Sequence, residues 1–379
     1  LHLSLRRQRQ MCIRDSRRIG VVTNHTGVTP DFRHIVDLLV REGLNVVALL
    51  APEHGVRGDL PAGARVEGYV DPRTGIPVYS LYGASHKPPA SVMRKLDVVI
   101  YDLQDVGVRF YTYISTLYYV LESAGEHGVR VLVLDRPNPI TGSRVGGPVL
   151  EPGYRSFVGI WPLPVRYGLT PGELAELFNE EAGLGAELEV VKMEGWRRGM
   201  WFEDTGLPWV PPSPNMPTPN TAVIYPGTCL LEGTNVSEGR GTAKPFELLG
   251  APWIDEYRLV EELETLPLRG AAFRPATFIP WAGKYVGEVC RGVQVYVTDR
   301  EELEPVKMGL LLVWAIRRTH PGKLRFTESG GRYYFDLLVG CGEAREMIEG
   351  GCEPEELLEL CKRGLASFEE VRRRHLLYP

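Results

Sequence analysis

Four polar clusters carry the residue types that could do chemistry in this chain. They are Glu53-His54 with Arg57, Asp102 through Gln104 and Asp105, Asp135-Arg136 with Asn138, and the run from Glu232 through Asn235, Ser237 and Glu238 to Arg240. Carboxylates, arginines and amides of this kind, together with Tyr79, Tyr82, Tyr111, Tyr113, Trp161 and Tyr225, suit a sugar ligand. Ring hydroxyls need planar hydrogen-bonding partners, and the C–H faces need aromatic surfaces. Glycosidic cleavage needs a proton donor for the leaving oxygen and a carboxylate that activates water or stabilises an oxocarbenium-like transition state. Glu53 is the natural acid, flanked by Pro52 and His54. Asp102, Asp105 or Glu232 is the second carboxyl, as base toward water or as charge stabiliser. A separation of about 6.5–9.5 Å would predict inversion and about 5–5.5 Å retention, while an N-acetylated sugar can also supply its own nucleophile. The same acidic and amide residues are also common in ordinary turns, so the clusters must be placed by the fold.

Other chemistries lack their signatures. There is no GxGxxG after the first strand, no GxxxxGK[ST], no GxSxG elbow and no HExxH. His25, His54 and His86 have no metal-site spacing, so neither a metal nor a cofactor is expected. With 43 Lys and Arg against 48 Asp and Glu, the net charge of −5 argues against a nucleic-acid partner. No apolar run approaches the roughly 20 residues of a membrane span. Cys12, Cys229, Cys290, Cys341, Cys352 and Cys361 contain no CxxC pair. Isolated thiols in a large core are expected, with Cys341 and Cys352 the pair to consider for a disulfide.

The elements that would position these clusters alternate. Short apolar runs at Ile19–Thr23, Val46–Leu50, Pro77–Leu81, Leu96–Tyr101, Arg130–Leu134 and Leu188–Met193 predict strands. Amphipathic stretches predict helices from Pro30 to Val40, from Tyr111 to Glu126, and from Thr170-Pro171-Gly172-Glu173 through Phe178. Strand–helix–strand alternation implies an α/β fold, a Rossmann-like mostly parallel sheet with helices on both faces. Glu53, Asp102 and Asp135 each follow a strand, on the carboxyl edge where open α/β sheets bind ligands. The Pro-rich segment 208–219 (PWVPPSPNMPTP) predicts a rigid connector. The expected organisation is a Rossmann-like catalytic domain over 17–225 and a smaller α+β domain over 226–379 that completes a cleft. The second would contain a strand at Gly292–Val297 and helices at Val306–Thr319 and Pro354–Leu377. Residues 1–16 (LHLSLRRQRQMCIRDS) are Arg-rich without an apolar h-region, so a non-native or disordered leader is expected there, and location cannot be read from it.

Several long motifs then fall in order: Thr23-Asn24-His25-Thr26-Gly27, APEHGVRGDLPAG (51–63), VDPRTGIPVYSLYG (70–83), YDLQDVGVRFYTYI (101–114), LDRPNPITG (134–142), PSPNMPT (212–218) and YPGTCLLEGTNVSEGRGTAKPFELLGAPW (225–253). From about Arg18 onward the chain resembles the peptidoglycan β-N-acetylmuramidase family of the NamZ type, formerly a bacterial domain of unknown function. The resemblance implies a metal-independent exo-acting glycoside hydrolase that releases N-acetylmuramic acid from the non-reducing end of peptidoglycan fragments. It also implies a role in cell-wall recycling, with muramoyl disaccharides or larger fragments as substrates and a site between two domains. The glutamate of the PEHGVRG run, Glu53, is the favoured catalytic residue in such a family. Such a substrate favours a secreted or periplasmic setting, with a cytoplasmic one also open.

Within that reading, Asn24, His54, Gln104, Asp105, Asp135, Asn138, Asn235 and Ser237 are the polar substrate contacts, with Tyr111 and Tyr113 as stacking rings. The lactyl carboxylate of muramic acid calls for an arginine fork. Arg57, Arg109, Arg136 and Arg240 are available, and Arg109 and Arg240 are preferred. The Gly-punctuated run 232–241 is expected to face Glu53 and close the pocket. Two other readings stand beside this one. A non-catalytic muropeptide-binding protein would use the same cleft but has little use for a poised acid. A nucleotide-sugar enzyme rests on the layout alone and lacks the glycine fingerprint.

Overall fold

A computed structural model describes residues 17–58, 68–83 and 86–379. The expected leader with Cys12, and residues 59–63 of the PEHGVRG-containing run, lie outside the described residues. Seven strands form the main sheet: β1 (Ile19–Thr23), β2 (Val46–Ala51), β3 (Tyr69–Val70), β4 (Pro77–Ser80), β5 (Val98–Asp102), β6 (Arg130–Leu134) and β9 (Leu188–Val191). Their spatial order is β3-β4-β2-β1-β5-β6-β9, with every pairing parallel except the β3–β4 edge. A hairpin of β7 (Gly146–Val149) and β8 (Pro164–Arg166) stands apart from it.

Two-sided burial follows from the period of 2 in each apolar strand. Ile19, Val21, Leu49, Val98 and Ile100 pack on one face, against Ile35, Val36 and Leu39 of α1 (Ile35–Arg41). Val22, Leu50, Val99, Tyr101 and Val131 pack on the other. There they meet α2 (Ala90–Met93), α3 (Tyr113–His127) and α4 (Pro171–Glu181). The chain runs from β1 outward through β2 to β4, then returns to place β5 on the opposite side of β1. The β1–β5 junction is therefore the topological switch point, where a crevice opens at the carboxyl ends of the strands. Thr23 pairs with Asp102 there.

The remaining chain forms a three-stranded antiparallel sheet, β10 (Leu248–Ala251), β12 (Cys290–Val297) and β11 (Ala271–Phe278) in spatial order. It is packed by α5 (Pro219–Thr228), α6 (Glu256–Glu264) and the buried α7 (Pro305–Thr319). Helices α5 and α7 cross in close contact. A Cβ on Gly227 would lie 1.8 Å from the Pro305 carbonyl oxygen, and one on Gly309 2.3 Å from that of Gly227, so both positions require glycine. A second hairpin, β13 (Glu328–Ser329) with β14 (Arg332–Tyr333), precedes α8 (Tyr334–Val339), α9 (Glu343–Gly350), α10 (Pro354–Leu360) and α11 (Leu365–Arg374).

Three boundaries differ from the sequence expectation. Helix α1 begins at Ile35, not Pro30, because Thr29 Oγ1 donates to Asp31 and accepts from the Arg33 amide, and Phe32 adopts φ 60°. That local turn competes with helix. The single helix expected over 354–377 is two, since Gly364 at φ 76° breaks it and a Cβ there would press on Val149 at 3.0 Å. Tyr225 lies inside α5, so the proline-rich connector ends at the N-cap Thr218 and the helix packs with the second half of the chain. Cys229, Cys290, Cys341, Cys352 and Cys361 are free thiols.

Arg109 ties the two halves together. Its buried guanidinium donates to the carbonyl oxygens of Pro148 (2.9 Å), Leu163 (2.7 Å) and Leu338 (2.7 Å). Burial lowers its pKa, and the three carbonyl dipoles offset part of the desolvation. An Arg109→Leu variant leaves those carbonyls unpaired and is expected to lose about 3–5 kcal/mol of stability, seen as a lower urea midpoint. A midpoint equal to that of the unaltered chain would show that the carbonyls find other partners.

Candidate functional site

At the end of β2 the chain turns through Pro52-Glu53-His54-Gly55, with His54 at φ 77° and Gly55 at φ 75°. A non-glycine residue in that region is strained, and such strain persists only where the surroundings hold it. Here it directs the Glu53 and His54 side chains into a cavity of about 730 Å³. That volume lies within the roughly 300–1,000 Å³ range of small-molecule sites. The same cavity is lined by Tyr111, Tyr113, Tyr225, Glu232, Arg240 and Phe246, so residues from both halves of the chain meet on it.

One wall is aromatic. Tyr111 and Tyr113 meet edge to face at 4.9 Å between centroids, Tyr111 and Tyr225 at 6.1 Å, and Tyr225 and Phe246 at 4.7 Å. Tyr113 Oη donates to the Pro212 carbonyl (2.7 Å) and accepts from Asn24 Nδ2 (2.7 Å). His25 Nε2 bonds the adjacent Pro211 carbonyl at 2.7 Å. The connector is thereby pinned across the switch point, and its Ser213, Asn215 and Met216 join the cavity lining. Burial raises the pKa of both Tyr111 and Tyr113, and the Glu53 carboxylate adds to the effect, so both hydroxyls stay protonated beside it.

A charged pair adjoins this wall. Arg240 donates through Nε to Glu232 Oε1 at 3.1 Å, and its Nη2 bonds the same oxygen. Its Nε also lies 3.3 Å from Glu238 Oε1, and its guanidinium carbon sits 5.0 Å above the Phe246 ring. Burial pushes the Glu232 carboxyl upward, while Arg240 and Lys284 pull against that shift. Glu232 in turn raises the pKa of Arg240, which stays charged. Lys284 holds this loop from behind, donating to the carbonyls of Leu231 (2.9 Å) and Val236 (2.9 Å) and to Glu238 Oε2 (3.0 Å).

Of the residues expected from the sequence, Glu53, His54, Tyr82, Tyr111, Tyr113, Tyr225, Glu232 and Arg240 share this cavity. The others are placed elsewhere. Asp102 bonds Arg136 at 2.5 Å, and both line a separate cavity of about 400 Å³ with Asp135, outside the lining of the Glu53 cavity. Asp135 accepts from Thr170, the Gly172 amide and Tyr378. Arg57 is committed to Asp37 (2.8 Å) and Asp71 (2.9 Å). Arg109 holds the carbonyls described above and lies outside the lining of this cavity. Gln104 bonds the Asp105 and Pro137 carbonyls, and Asn138 bonds the Leu169 carbonyl and the Ile140 amide. Asn235 bridges the Lys323 carbonyl and the Arg325 amide. Ser237 pairs with Gly250 through the backbone, and Asn24 supports Tyr113 from beneath. Tyr79 and Trp161 are absent from the lining.

The sequence reading missed Phe157, Phe246, Trp281 and Tyr334, all of which line the cavity, and Lys284 behind it. Pro280-Trp281-Ala282-Gly283 offered one signal, a tryptophan between proline and glycine outside any apolar period. Lys284 offered none. No trio of His, Cys, Asp or Glu suited to a metal occurs among the described residues.

Residues 19–220 match the family profile described as exo-beta-N-acetylmuramidase NamZ, N-terminal, and residues 223–378 match its C-terminal counterpart. The chain belongs to this family. It is similar to the peptidoglycan beta-N-acetylmuramidase NamZ of Bacillus subtilis (strain 168), with 48% identity over 363 residues that cover 96% of this chain and 87% of the relative. Two crystal structures of DUF1343 family proteins from Bacteroides fragilis NCTC 9343 are also similar. One has a TM-score of 0.91 at 36% identity, covering 99% of this chain and 97% of that one. The other has a TM-score of 0.79 at 32% identity, covering 99% and 98%.

Asp105, beyond the end of β5, accepts from the Gly107 amide (2.7 Å) and from Tyr167 Oη through one oxygen, while its other oxygen is buried without a partner among the described residues. Burial pushes its pKa up to about 6 from 3.8. The folded state thus keeps a proton that the unfolded chain releases. Stability from this group should fall as pH rises from about 4 to about 6, and then level off. An Asp105→Asn variant should gain on the unaltered chain by up to about 3 kcal/mol across that window in urea unfolding. A pH-independent difference between the two would contradict the assignment.

Proposed function

We propose that this chain is an exo-acting glycoside hydrolase that releases N-acetylmuramic acid from the non-reducing end of peptidoglycan fragments, with Glu53 as general acid. The chain belongs to a family of peptidoglycan β-N-acetylmuramidases, which are glycoside hydrolases. The observation that carries the finer reading is the meeting of Glu53 with the Glu232–Arg240 pair on one aromatic-walled cavity.

In this reading the muramoyl ring lies against Tyr111, Tyr225 and Phe246, whose edge-to-face packing leaves a rigid apolar wall for its C–H face. Glu53 gives its proton to the glycosidic oxygen as the C–O bond breaks. Positive charge grows at the anomeric carbon, and Glu232 is the second carboxyl. Burial makes Glu232 a stronger base than an exposed glutamate, which suits proton removal from the incoming water. That proton moves to Glu232, the water oxygen bonds the anomeric carbon, and the leaving sugar departs with the proton from Glu53.

Arg240 has a second task. Its Nε and Nη2 are engaged by Glu232, whereas Nη1 has no hydrogen-bond partner among the described residues. That nitrogen is available to the lactyl carboxylate, which separates muramic acid from N-acetylglucosamine.

The test is turnover of a β-linked N-acetylmuramoyl aryl glycoside. A Glu53→Gln variant should lose about 10²–10⁴-fold in kcat while KM shifts little, because amide and acid bind alike but only the acid transfers a proton. Binding of the sugar by the unaltered chain without any release of chromophore would favour a binding protein and overturn the hydrolase reading. An Arg240→Lys variant should narrow the preference for muramoyl over glucosaminyl substrates about tenfold, since lysine cannot keep the fork to Glu232 and also reach a carboxylate. An unchanged preference would remove Arg240 from that role.

A further inference from the structure

Trp281 is 78% exposed, yet it also lines the cavity that holds Glu53 and Glu232. Nearby in the same segment Ile279 (56%), Val286 (58%) and Val289 (49%) are exposed as well. Large apolar side chains on a rim cost solvation without return in the free protein, and such patches mark binding surfaces. Loose packing does not account for the exposure, because the segment is pinned at several points. The Trp281 amide donates to the Gly241 carbonyl at 3.0 Å, and the Gly287 amide to that of Pro280 at 2.9 Å. Tyr285 Oη donates to the Asn235 carbonyl at 2.6 Å, and Lys284 reaches beneath to the loop of Glu232. Gly241 packs so tightly that a Cβ there would lie 2.2 Å from the Ala282 nitrogen. The indole is therefore held on the same backbone unit that presents Arg240.

We propose that Trp281 is the platform of a leaving-group subsite, stacking on the neutral amino sugar attached to the muramoyl residue. This rests on the muramidase reading above. In a pocket that removes one terminal sugar, the leaving portion is what extends past the rim. An exposed indole is the partner a pyranose C–H face requires. The segment's charges also fit a neutral ring: between 279 and 289 the only ionisable groups besides Tyr285 are Lys284, turned inward, and Glu288. A peptide bearing carboxylates would instead call for cations on this rim.

Two substrates separate the parts. One is the disaccharide of N-acetylmuramic acid β-1,4-linked to N-acetylglucosamine. The other is N-acetylmuramoyl β-fluoride, whose leaving group has no ring. Trp281→Ala should lower kcat/KM on the disaccharide about tenfold more than on the fluoride, and Trp281→Phe should restore most of that difference. The site is on the surface, and a melting curve matching that of the unaltered chain confirms folding. Equal losses on both substrates would place the ring against the muramoyl unit and overturn the proposal, as would equal rates for variant and unaltered chain. A loss seen only when the substrate carries a peptide would assign the rim to the peptide and overturn it too. No turnover of either substrate by the unaltered chain would instead overturn the hydrolase reading on which the subsite rests.

Discussion

Four charges, Glu238 buried and the others partly buried, hold the candidate site in shape: Glu232 and Glu238 against Arg240 and Lys284. Taken singly, any one of them would be too costly to desolvate. Taken together they cancel, and the hydrogen bonds of Lys284 to main-chain carbonyls absorb the remaining donors. Such a cluster adds little net stability relative to apolar packing, but it admits few alternative arrangements. In the conformation that pairs all four groups, the loop places Glu232 on the cavity lining.

The same device recurs elsewhere. Arg109 caps three carbonyls, and Arg198 and Arg372 both donate to the carbonyls of Gly142 and Gly168. Irregular backbone dominates the regions between the two sheets, and its carbonyls lack ladder partners. Long cations satisfy several at once and cross-link segments far apart in sequence. This explains why so many arginines are unavailable to a ligand, and why Arg240, which lines the Glu53 cavity, differs from them.

The aromatic wall depends on the connector. Proline at 208, 211, 212, 214 and 217 restricts its backbone, which turns once where the Met216 amide donates to the Ser213 carbonyl, and His25 and Tyr113 fasten Pro211 and Pro212 to the switch point. Helix α5 then starts at once and delivers Tyr225 beside Tyr111. One rigid segment thus sets the distance between the Glu53 turn and the charged loop.

Much of this was legible in the residues alone. Uninterrupted apolar runs can be satisfied only by strands buried on both faces, so the parallel sheet and its carboxyl edge followed from local pattern, as did Glu53 at the end of β2 and the helix start at Thr170-Pro171. Helix breaks at Phe32 and Gly364 did not, because they reflect a competing turn and a distant packing contact with Val149. Nor could residue type separate Glu232, which faces the cavity, from Asp102, which is spent on Arg136. Whether a charge is free to act depends on which partner reaches it through space, and Asp102 and Arg136 are 34 residues apart along the chain. Local sequence sets the period and the turns. Only the tertiary structure decides which charges cancel one another and which are left for a ligand, because long-range electrostatic pairing leaves no trace in residue spacing.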